Sequence, residues 1–463
     1  MKAIYTLLTI ILIGSTASIA QDFTGKWNGI LEVQGTQVPL VFKIEKTEDG
    51  YNGTFDSPKQ GAKDIPFSSV TIKDNSIKLY ATNIGAFYEG NWVSDSIVGS
   101  WNQGGMSIPL NIFRKERQES KANRPQEPKG KLPYEALNVQ FTNPKAEIKL
   151  AGTLTLPSNS ASQHPVVILI SGSGAQNRNE EIFGHRPFLV LADYLTRKGI
   201  AVLRYDDRGT AESEGDFAAS TTADFATDVL SAVAYLKTRE DIDHNQIGLI
   251  GHSEGGIIAP MVANQTQDVS FLVILAGTGI SGKALSLMQS ASLAPAALKN
   301  KEAYYNFNKK LLDIASSEAD VAIKRDKLSS HFVESREIIE ELLPAGTDID
   351  RFIEQQLNST LSPWSQFFFS YNPADEFEKV TIPVLSLNGS KDAQVEALTN
   401  QSAIKIALEK AGNKHFVVKE LAGLNHMFQE APTGAISEYG QIEQSFSPLA
   451  LNEISEWILD TVK

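Results

Sequence analysis

Residues 249–258 read LIGHSEGGII. One apolar run enters Gly251-His252-Ser253-Glu254-Gly255-Gly256 and another leaves it, so a single serine stands between two segments of core character. The G-x-S-x-G spacing follows the strand-like QIGLI (246–250) and precedes the helix-like GGIIAPMVAN (255–264). A strand that turns sharply into a helix holds its central residue in a strained conformation with its hydroxyl exposed. Glycines two positions either side keep strand and helix from colliding. The amide of Glu254 then lies at a helix N-terminus, where unpaired N–H groups and the dipole favour an oxyanion. The competing reading is a glycine-rich turn between core elements; the flanking strand and helix favour Ser253 as a nucleophile.

A serine hydroxyl is a poor nucleophile near neutral pH, so it needs a histidine base, and the histidine needs a carboxylate to hold its tautomer. On a sheet of this kind the chain order is Ser, acid, His, each in a loop past the C-terminal end of a strand. VLSLNGSKDAQV (384–395) supplies Asp392 directly after a strand, and HFVVKELAGLNHMFQ (415–429) supplies His426 after the next. Of the other histidines, His252 should point away from the hydroxyl and serve packing or support. His164, His244 and His415 each precede a strand, at the far edge from the catalytic loops, and are expected in solvent. His185 and His331 follow no sheet strand. Asp206 and Asp207 follow a strand too early in the order and are read as a structural turn with Arg208. The second oxyanion donor is expected from SGSGAQ (171–176), with the amide of Ser173 placed between Gly172 and Gly174. That loop lacks both the Lys-Ser/Thr ending of a P-loop and a full G-x-G-x-x-G, which weakens a phosphate-binding reading.

Around this motif the chain divides. Residues 22–113 alternate apolar and polar positions in short pieces, such as VPLVFKIEK (38–46) and SIKLYATN (76–83), with Gly, Asn and Asp between them, the pattern of an antiparallel β domain over 21–113. The charged, Pro- and Lys-rich RKERQESKANRPQEPKGKLPY (114–134) reads as a linker. From 135 to 463, apolar runs such as PVVILISGSG (165–174) and FLVILAGTG (271–279) alternate with helical stretches, which predicts an α/β domain with a mostly parallel sheet. Charged amphipathic sequence over 281–372 interrupts it and reads as an inserted helical cap. Within that cap, Trp364 and Phe367 to Phe369 are candidates for lining a pocket.

The first residues, Met1-Lys2, an apolar run Leu7 to Ile13 and the ending Ser18-Ile19-Ala20, have the three parts of a secretory signal peptide over 1–20, with cleavage before Gln21. The apolar run is shorter than the roughly 20 residues that span a bilayer, so no stable membrane anchor is expected after cleavage, and a secreted or periplasmic destination is. Cysteine is absent, which excludes disulfides, thiolate metal sites and a cysteine nucleophile. The formal charge of −13, or −14 once Lys2 is removed with the leader, argues against nucleic-acid or anionic-membrane partners.

Five segments in order, SGSGAQNRNE, LRYDDRGTAESEG, GHSEGG, SPWSQFFFSYNPADEFEKVTIPVLSLNGSKDAQV and GLNHMFQ, resemble the secreted α/β-hydrolase serine esterases of the dienelactone-hydrolase-related group over about 135–463. The resemblance implies an α/β-hydrolase fold, carboxylic ester hydrolysis on a small-molecule ester without metal or organic cofactor, and Ser253, Asp392 and His426 as nucleophile, acid and base. Two departures stand out: Ser171-Gly172 where many relatives have His-Gly, and Ala211 where relatives often have glycine. GKWNG and GSWNQGG resemble the strand starts of lipocalin-like β barrels, although single Trp residues in strands are usually core. A serine peptidase of prolyl-oligopeptidase type is the nearest rival, but such enzymes usually carry a large β-propeller and the N-terminal region is too small for one. A non-catalytic ligand-binding protein is the rival from another class.

Overall fold

The computed structural model describes residues 22–33, 36–48, 50–58, 62–103, 106–115, 123–158, 163–292, 294, 298–343 and 348–463. The leader expected over 1–20 and its cleavage before Gln21 lie outside the described residues, as do 116–122 of the stretch read as a linker. The chain falls into two compact units.

The N-terminal unit carries β1 (Gly25–Val33), β2 (Thr36–Thr47), β3 (Gly50–Ser57), β4 (Ala62–Pro66), β5 (Ser69–Lys73), β6 (Ser76–Ala81), β7 (Ala86–Val93), β8 (Ser96–Gln103), β9 (Met106–Pro109) and β10 (Ile112–Phe113). They form one sheet in the order β4-β3-β2-β1-β10-β8-β7-β6-β5, with β9 against β8. The pairings of β6 with β7 and of β7 with β8 are antiparallel hairpins. Strand β6 shows the period-2 logic: Ile77, Leu79 and Ala81 are buried while Ser76 is exposed. The enclosed face is filled by rings, with Phe42 5.2 Å from Tyr88 and 5.5 Å from Phe67, centroid to centroid. Trp27 and Trp101 are both buried core residues.

The C-terminal unit opens with β11 (Glu135–Asn143), β12 (Ile148–Leu156), β13 (His164–Ile170), α1 (Pro187–Arg197), β14 (Ala201–Tyr205), α2 (Thr222–Leu236), β15 (Ile242–His252), α3 (Gly255–Ala263) and β16 (Phe271–Leu275). The helices α4 (Gly282–Ser292), α5 (Lys301–Ala315), α6 (Val321–Glu334), α7 (Arg336–Leu342), α8 (Ile349–Thr360), α9 (Pro363–Ser370) and α10 (Ala374–Phe377) come next. The chain then returns to the sheet with β17 (Val384–Gly389), α11 (Ala397–Lys410), β18 (Phe416–Leu421) and α12 (Pro448–Thr461). The sheet order is β11-β12-β14-β13-β15-β16-β17-β18. From β14 to β18 every neighbouring pair is parallel. The sheet is therefore not parallel throughout: β11 pairs β12, and β12 pairs β14, in the antiparallel sense, because a short turn at 144–147 joins the first two strands with no crossover helix.

The continuous apolar runs follow from double-sided burial. In β13, Val166, Ile168 and Ile170 face one core with α2 and α3, while Val167 and Leu169 face another with α1 and α12. The sequence of α2 begins with a capping box, Thr221 accepting from Asp224 N while Asp224 takes the Thr221 N–H. The inserted helices have an apolar cluster of their own around Phe307, Leu328, Phe332, Ile353 and Leu357.

The second half of the stretch read as a linker is not free chain. Arg124 is buried and donates from Nε to Gly184 O at 3.0 Å, from Nη1 to Ile442 O at 2.7 Å, and from Nη2 to Phe183 O at 3.2 Å and Gly440 O at 2.9 Å. A single guanidinium satisfies carbonyls from two separate loops, a requirement invisible to a composition argument. Arg124→Ala strands those four acceptors, and we expect it to lower stability by about 2–4 kcal/mol; urea unfolding of the full chain measures this, and an unchanged midpoint would show that the anchor is dispensable.

Candidate active site

Strand β15 ends at His252 and helix α3 starts at Gly255, leaving Ser253 and Glu254 to make the whole connection. Ser253 has φ 51°, the left-handed region that a non-glycine residue adopts under strain. The surrounding crossing leaves no room for side chains at the flanking glycines. A Cβ on Gly251 would sit 2.0 Å from Gly255 O, and one on Gly255 would sit 2.2 Å from Ile170 O on the neighbouring strand. Two main-chain bonds hold the corner, Ser253 N to Leu275 O at 2.8 Å and Gly256 N to Ser253 O at 2.9 Å.

Asp392 lies in the turn after β17 and His426 in the loop after β18. Asp392 Oδ1 accepts the amides of Gln394 and Val395, 2.8 Å each, which fixes the carboxylate. Its Oδ2 meets His426 Nδ1 at 2.7 Å. That pairing leaves Nε2 as the other ring nitrogen, and the His426 ring borders the same cavity as Ser253.

The cavity measures about 490 Å³ and is bordered on the sheet side by Gly172, Ser173, Glu180, His252, Ser253, Glu254 and His426. Ser173 and Glu254, the two residues whose amides were expected to serve an oxyanion, thus both reach it. The inserted helices close the other side with Gln289, Gln356, Trp364, Phe368 and Phe369. Of the aromatic residues singled out in the cap, Phe367 does not join the lining; it packs against the core and stacks on Tyr371. Trp364 stacks on Phe368 at 4.8 Å and donates its indole N–H to Glu254 Oε1 at 2.7 Å, so a helix of the insertion is bonded to the residue after Ser253. Burial pushes the Glu254 carboxyl above the usual range, despite hydrogen bonds from Thr222, Trp364 and Ser173.

The loop after β13 is held by three carboxylates. Ser171 Oγ donates to Asp207 Oδ1 at 2.7 Å, and Gln176 N donates to Asp207 Oδ2 at 2.9 Å. Gly172 N donates to Glu180 Oε1 at 2.7 Å. The third is Asp206, whose Oδ1 accepts Arg178 N at 2.7 Å. Ser171, the first of the two departures noted in the sequence, is therefore paired with Asp207. Asp207 and Arg208 do form a turn, closed by Thr210 N donating to Asp207 O at 3.0 Å, while the Arg208 side chain reaches across to Asp228 on α2, Nε to Oδ2 at 2.7 Å, and Asp206 receives Arg178. Ala211, at the other departure, has φ 49°, so this turn accepts an alanine in left-handed geometry.

The remaining histidines stand apart from the cavity. His185 is fully buried against Ser445 Oγ at 2.8 Å and Tyr439 O at 2.9 Å, and burial pushes its pKa down to about 4. His331 donates to Phe307 O at 2.9 Å inside the insertion. His164 is buried, not solvated, because the β13 start is covered; burial lowers its pKa. Sequence reasoning missed Glu180 altogether. It sits in the polar run NRNEE with no spacing signal, and only the fold brings it under Gly172 and beside His252, whose Nδ1 it meets at 2.8 Å. Among the described residues no group of three or more His, Asp or Glu side chains is disposed to hold a metal ion.

The sheet order with a strand–turn–helix corner at Ser253 defines an α/β hydrolase. A family model for the X-Pro dipeptidyl-peptidase (S15) family matches residues 146–419, more than half of the chain, and the protein belongs to that family of hydrolases. Among curated relatives, the esterase EstD of Thermotoga maritima is 24% identical over 313 residues, which cover 67% of this chain and 65% of that protein. An uncharacterized 31.7 kDa protein of Escherichia coli is 30% identical over 136 residues, 29% of this chain and 44% of that protein. The chain thus spans less than two thirds of these relatives. Of the solved structures, Est1E from Butyrivibrio proteoclasticus with ferulic acid matches with TM-score 0.41 and 19% identity over 70% of this chain and 99% of that one. The Pyrococcus furiosus esterase Pf2001 matches with TM-score 0.41 and 15% identity over 73% and 99%.

Burial raises the Asp207 pKa to about 8, aided by the charges of Glu180 and Glu254 and opposed by the Ser171 and Gln176 donors. Between the ordinary aspartate value of 3.8 and about 8 the folded chain therefore binds a proton that the unfolded chain has released. The stability this group contributes is present at acid pH and is lost as pH rises through that window. We expect the stability of Asp207→Asn, relative to wild type, to rise by about 1 kcal/mol per pH unit from pH 5 to 8 and then level off. Denaturant titrations at graded pH check this, and a pH-independent difference would refute the assignment.

Proposed function

We propose that the protein is a carboxylic ester hydrolase working through an acyl-enzyme on Ser253. His426 Nε2 takes the Ser253 proton as the hydroxyl attacks the ester carbonyl, and Asp392 steadies the imidazolium through its Nδ1–H. The amides of Ser173 and Glu254 receive the oxyanion; the loss of one such donor typically costs about 100- to 1000-fold in turnover. His426 then protonates the departing alcohol, and the same ring activates water to release the acid.

The observation that carries an ester over a peptide is the charge content of the cavity. An N-terminal dipeptide presents an α-ammonium, titrating near pH 7.7–8.0, which needs a free carboxylate once taken out of water. Among the described lining residues the only carboxylates are Glu180 and Glu254. Glu180 is bound to Gly172 N and His252, and Glu254 to Thr222 and Trp364. Apart from these two carboxyl groups, His252 and His426, the polar lining is glutamine, serine and threonine beside apolar surface, which suits a substrate without an ammonium group. The name of the family favours the peptidase as second reading, and the resemblance to EstD, an esterase, favours the first.

The further features belong to the same reading. Export through residues 1–20 would place the enzyme in the periplasm or outside the cell; among the described residues no helix is long and apolar enough to cross a membrane. The resemblance to dienelactone-hydrolase-related esterases and to lipocalin-like barrels completes it, with the N-terminal unit as a scaffold because aromatic rings fill its enclosed face.

p-Nitrophenyl acetate and an X-Pro p-nitroanilide, assayed side by side, decide between the readings. We expect ester kcat/KM to exceed anilide kcat/KM by at least about 100-fold, and Ser253→Ala to lower ester turnover by about 10⁴-fold or more and to abolish fluorophosphonate labelling. Anilide cleavage without ester turnover would establish the peptidase; a folded wild type that resists labelling would establish a binding protein.

A further inference from the structure

Neither the proton transfers nor the oxyanion site employs a second buried ionisable pair beside Ser253, His252 with Glu180, which are 7% and 3% exposed. Glu180 Oε1 accepts Gly172 N at 2.7 Å from the loop after β13 and meets His252 Nδ1 at 2.8 Å. On the other side of the ring, His252 Nε2 lies 3.0 Å from the main-chain carbonyl oxygen of His426. One imidazole thus spans the oxyanion loop, the end of β15 next to Ser253, and the backbone of the base itself.

The geometry points to His252 and Glu180 as a positioning pair: a doubly protonated imidazole clamps the oxyanion loop and the His426 loop to the Ser253 corner. The reasoning is one of donors and acceptors. A carbonyl oxygen only accepts, so Nε2 must carry a proton. Glu180 Oε1 already accepts the Gly172 N–H, which favours its carboxylate form, so Nδ1 must carry one as well. A neutral ring has a single N–H and would set a nitrogen lone pair against an oxygen on one side. The titratable groups that face the ring are Glu180, His426, whose ring centroid is 4.9 Å away, and Asp392. Burial disfavours the charged ring, but the Glu180 charge and hydrogen bond, with the His426 carbonyl, outweigh it and hold the pKa above its ordinary value. The Glu180 main chain is itself strained, at φ 50°, so the carboxylate is presented from a fixed rather than a relaxed position.

The clamp rests on the ester-hydrolase reading for its kinetic consequence and on the hydrogen-bond geometry alone for its protonation state. Once pH rises far enough to remove the second proton, one side of the clamp opens. Glu180→Gln removes that dependence: its amide oxygen still accepts the Gly172 N–H, but without the carboxylate charge His252 stays neutral and donates on one side only at every pH in the range. Glu180→Ala and His252→Phe remove the clamp entirely.

The experiment combines kcat and KM for p-nitrophenyl acetate from pH 5 to 10 with ¹⁵N spectra of histidine-labelled full-length protein. We expect Glu180→Ala and His252→Phe to lower kcat about 100-fold with KM little changed, because displaced groups act on the transition state. We expect Glu180→Gln to recover at least about tenfold over Glu180→Ala and to lose the alkaline fall in kcat that wild type shows. In the spectra, His252 of wild type at pH 7 should have two protonated ring nitrogens, and in Glu180→Gln one. A neutral His252 in wild type, or an unchanged alkaline limb in Glu180→Gln, overturns the proposal, and both readouts stand even if the alanine and phenylalanine variants fail to fold. Ester turnover that survives Ser253→Ala would instead overturn the ester-hydrolase reading, while the ¹⁵N spectra still judge the clamp.

Discussion

The crossing of β15, α3 and β13 at Ser253 is the constraint on which the site depends. Three pieces of main chain pass so closely that a single methyl group at Gly251 or Gly255 would overlap a carbonyl oxygen. That proximity forces Ser253 to positive φ and lifts its side chain off the sheet. It also brings Gly172 against the serine, with a hypothetical Cβ at 3.2 Å from Ser253 Cβ, so the loop after β13 cannot be displaced without loosening the corner. The strain is sustained because the sheet around it is parallel, doubly covered and buried, and its strands have little freedom to relax.

Around that corner, buried carboxylates act as fasteners. Asp207 takes the hydroxyl of Ser171 and the amide of Gln176, Glu180 takes Gly172 N and His252, and Glu254 takes Thr222 and Trp364. Each ties a segment that would otherwise rely on weak contacts, and through Glu180 and Glu254 these bonds hold the polar wall of the cavity in place. Glu254 borders the cavity next to Ser253 while its carboxyl receives the indole of the inserted helices, so the serine corner and the insertion are mechanically linked.

Much of this was legible in the chain. The G-x-S-x-G stretch between an apolar strand and an apolar helix, and the placement of Asp392 and His426 after later strands, rest on local pattern and chain order, and local pattern survives without coordinates. What escaped were contacts between segments with no periodic relation. Arg124 looked like linker because its neighbours are charged and proline-rich, yet it fills a nest of carbonyls from residues about 60 and 320 positions away. The turn at Arg208 was legible, but its side-chain partner was not: Asp228 is presented by helix α2, 20 positions further along the chain.

The sequence by itself determined the alternation of strands and helices, the division at the end of the β-rich region, the serine corner and the order of the chemistry-bearing residues, because all of these follow from spacing along one chain. Tertiary structure alone decided the antiparallel edge of the sheet, the residues that line the cavity and the partnership of Glu180 with His252. These depend on which groups come to share a small buried volume, where hydrogen-bond satisfaction and desolvation act between residues that the chain keeps far apart.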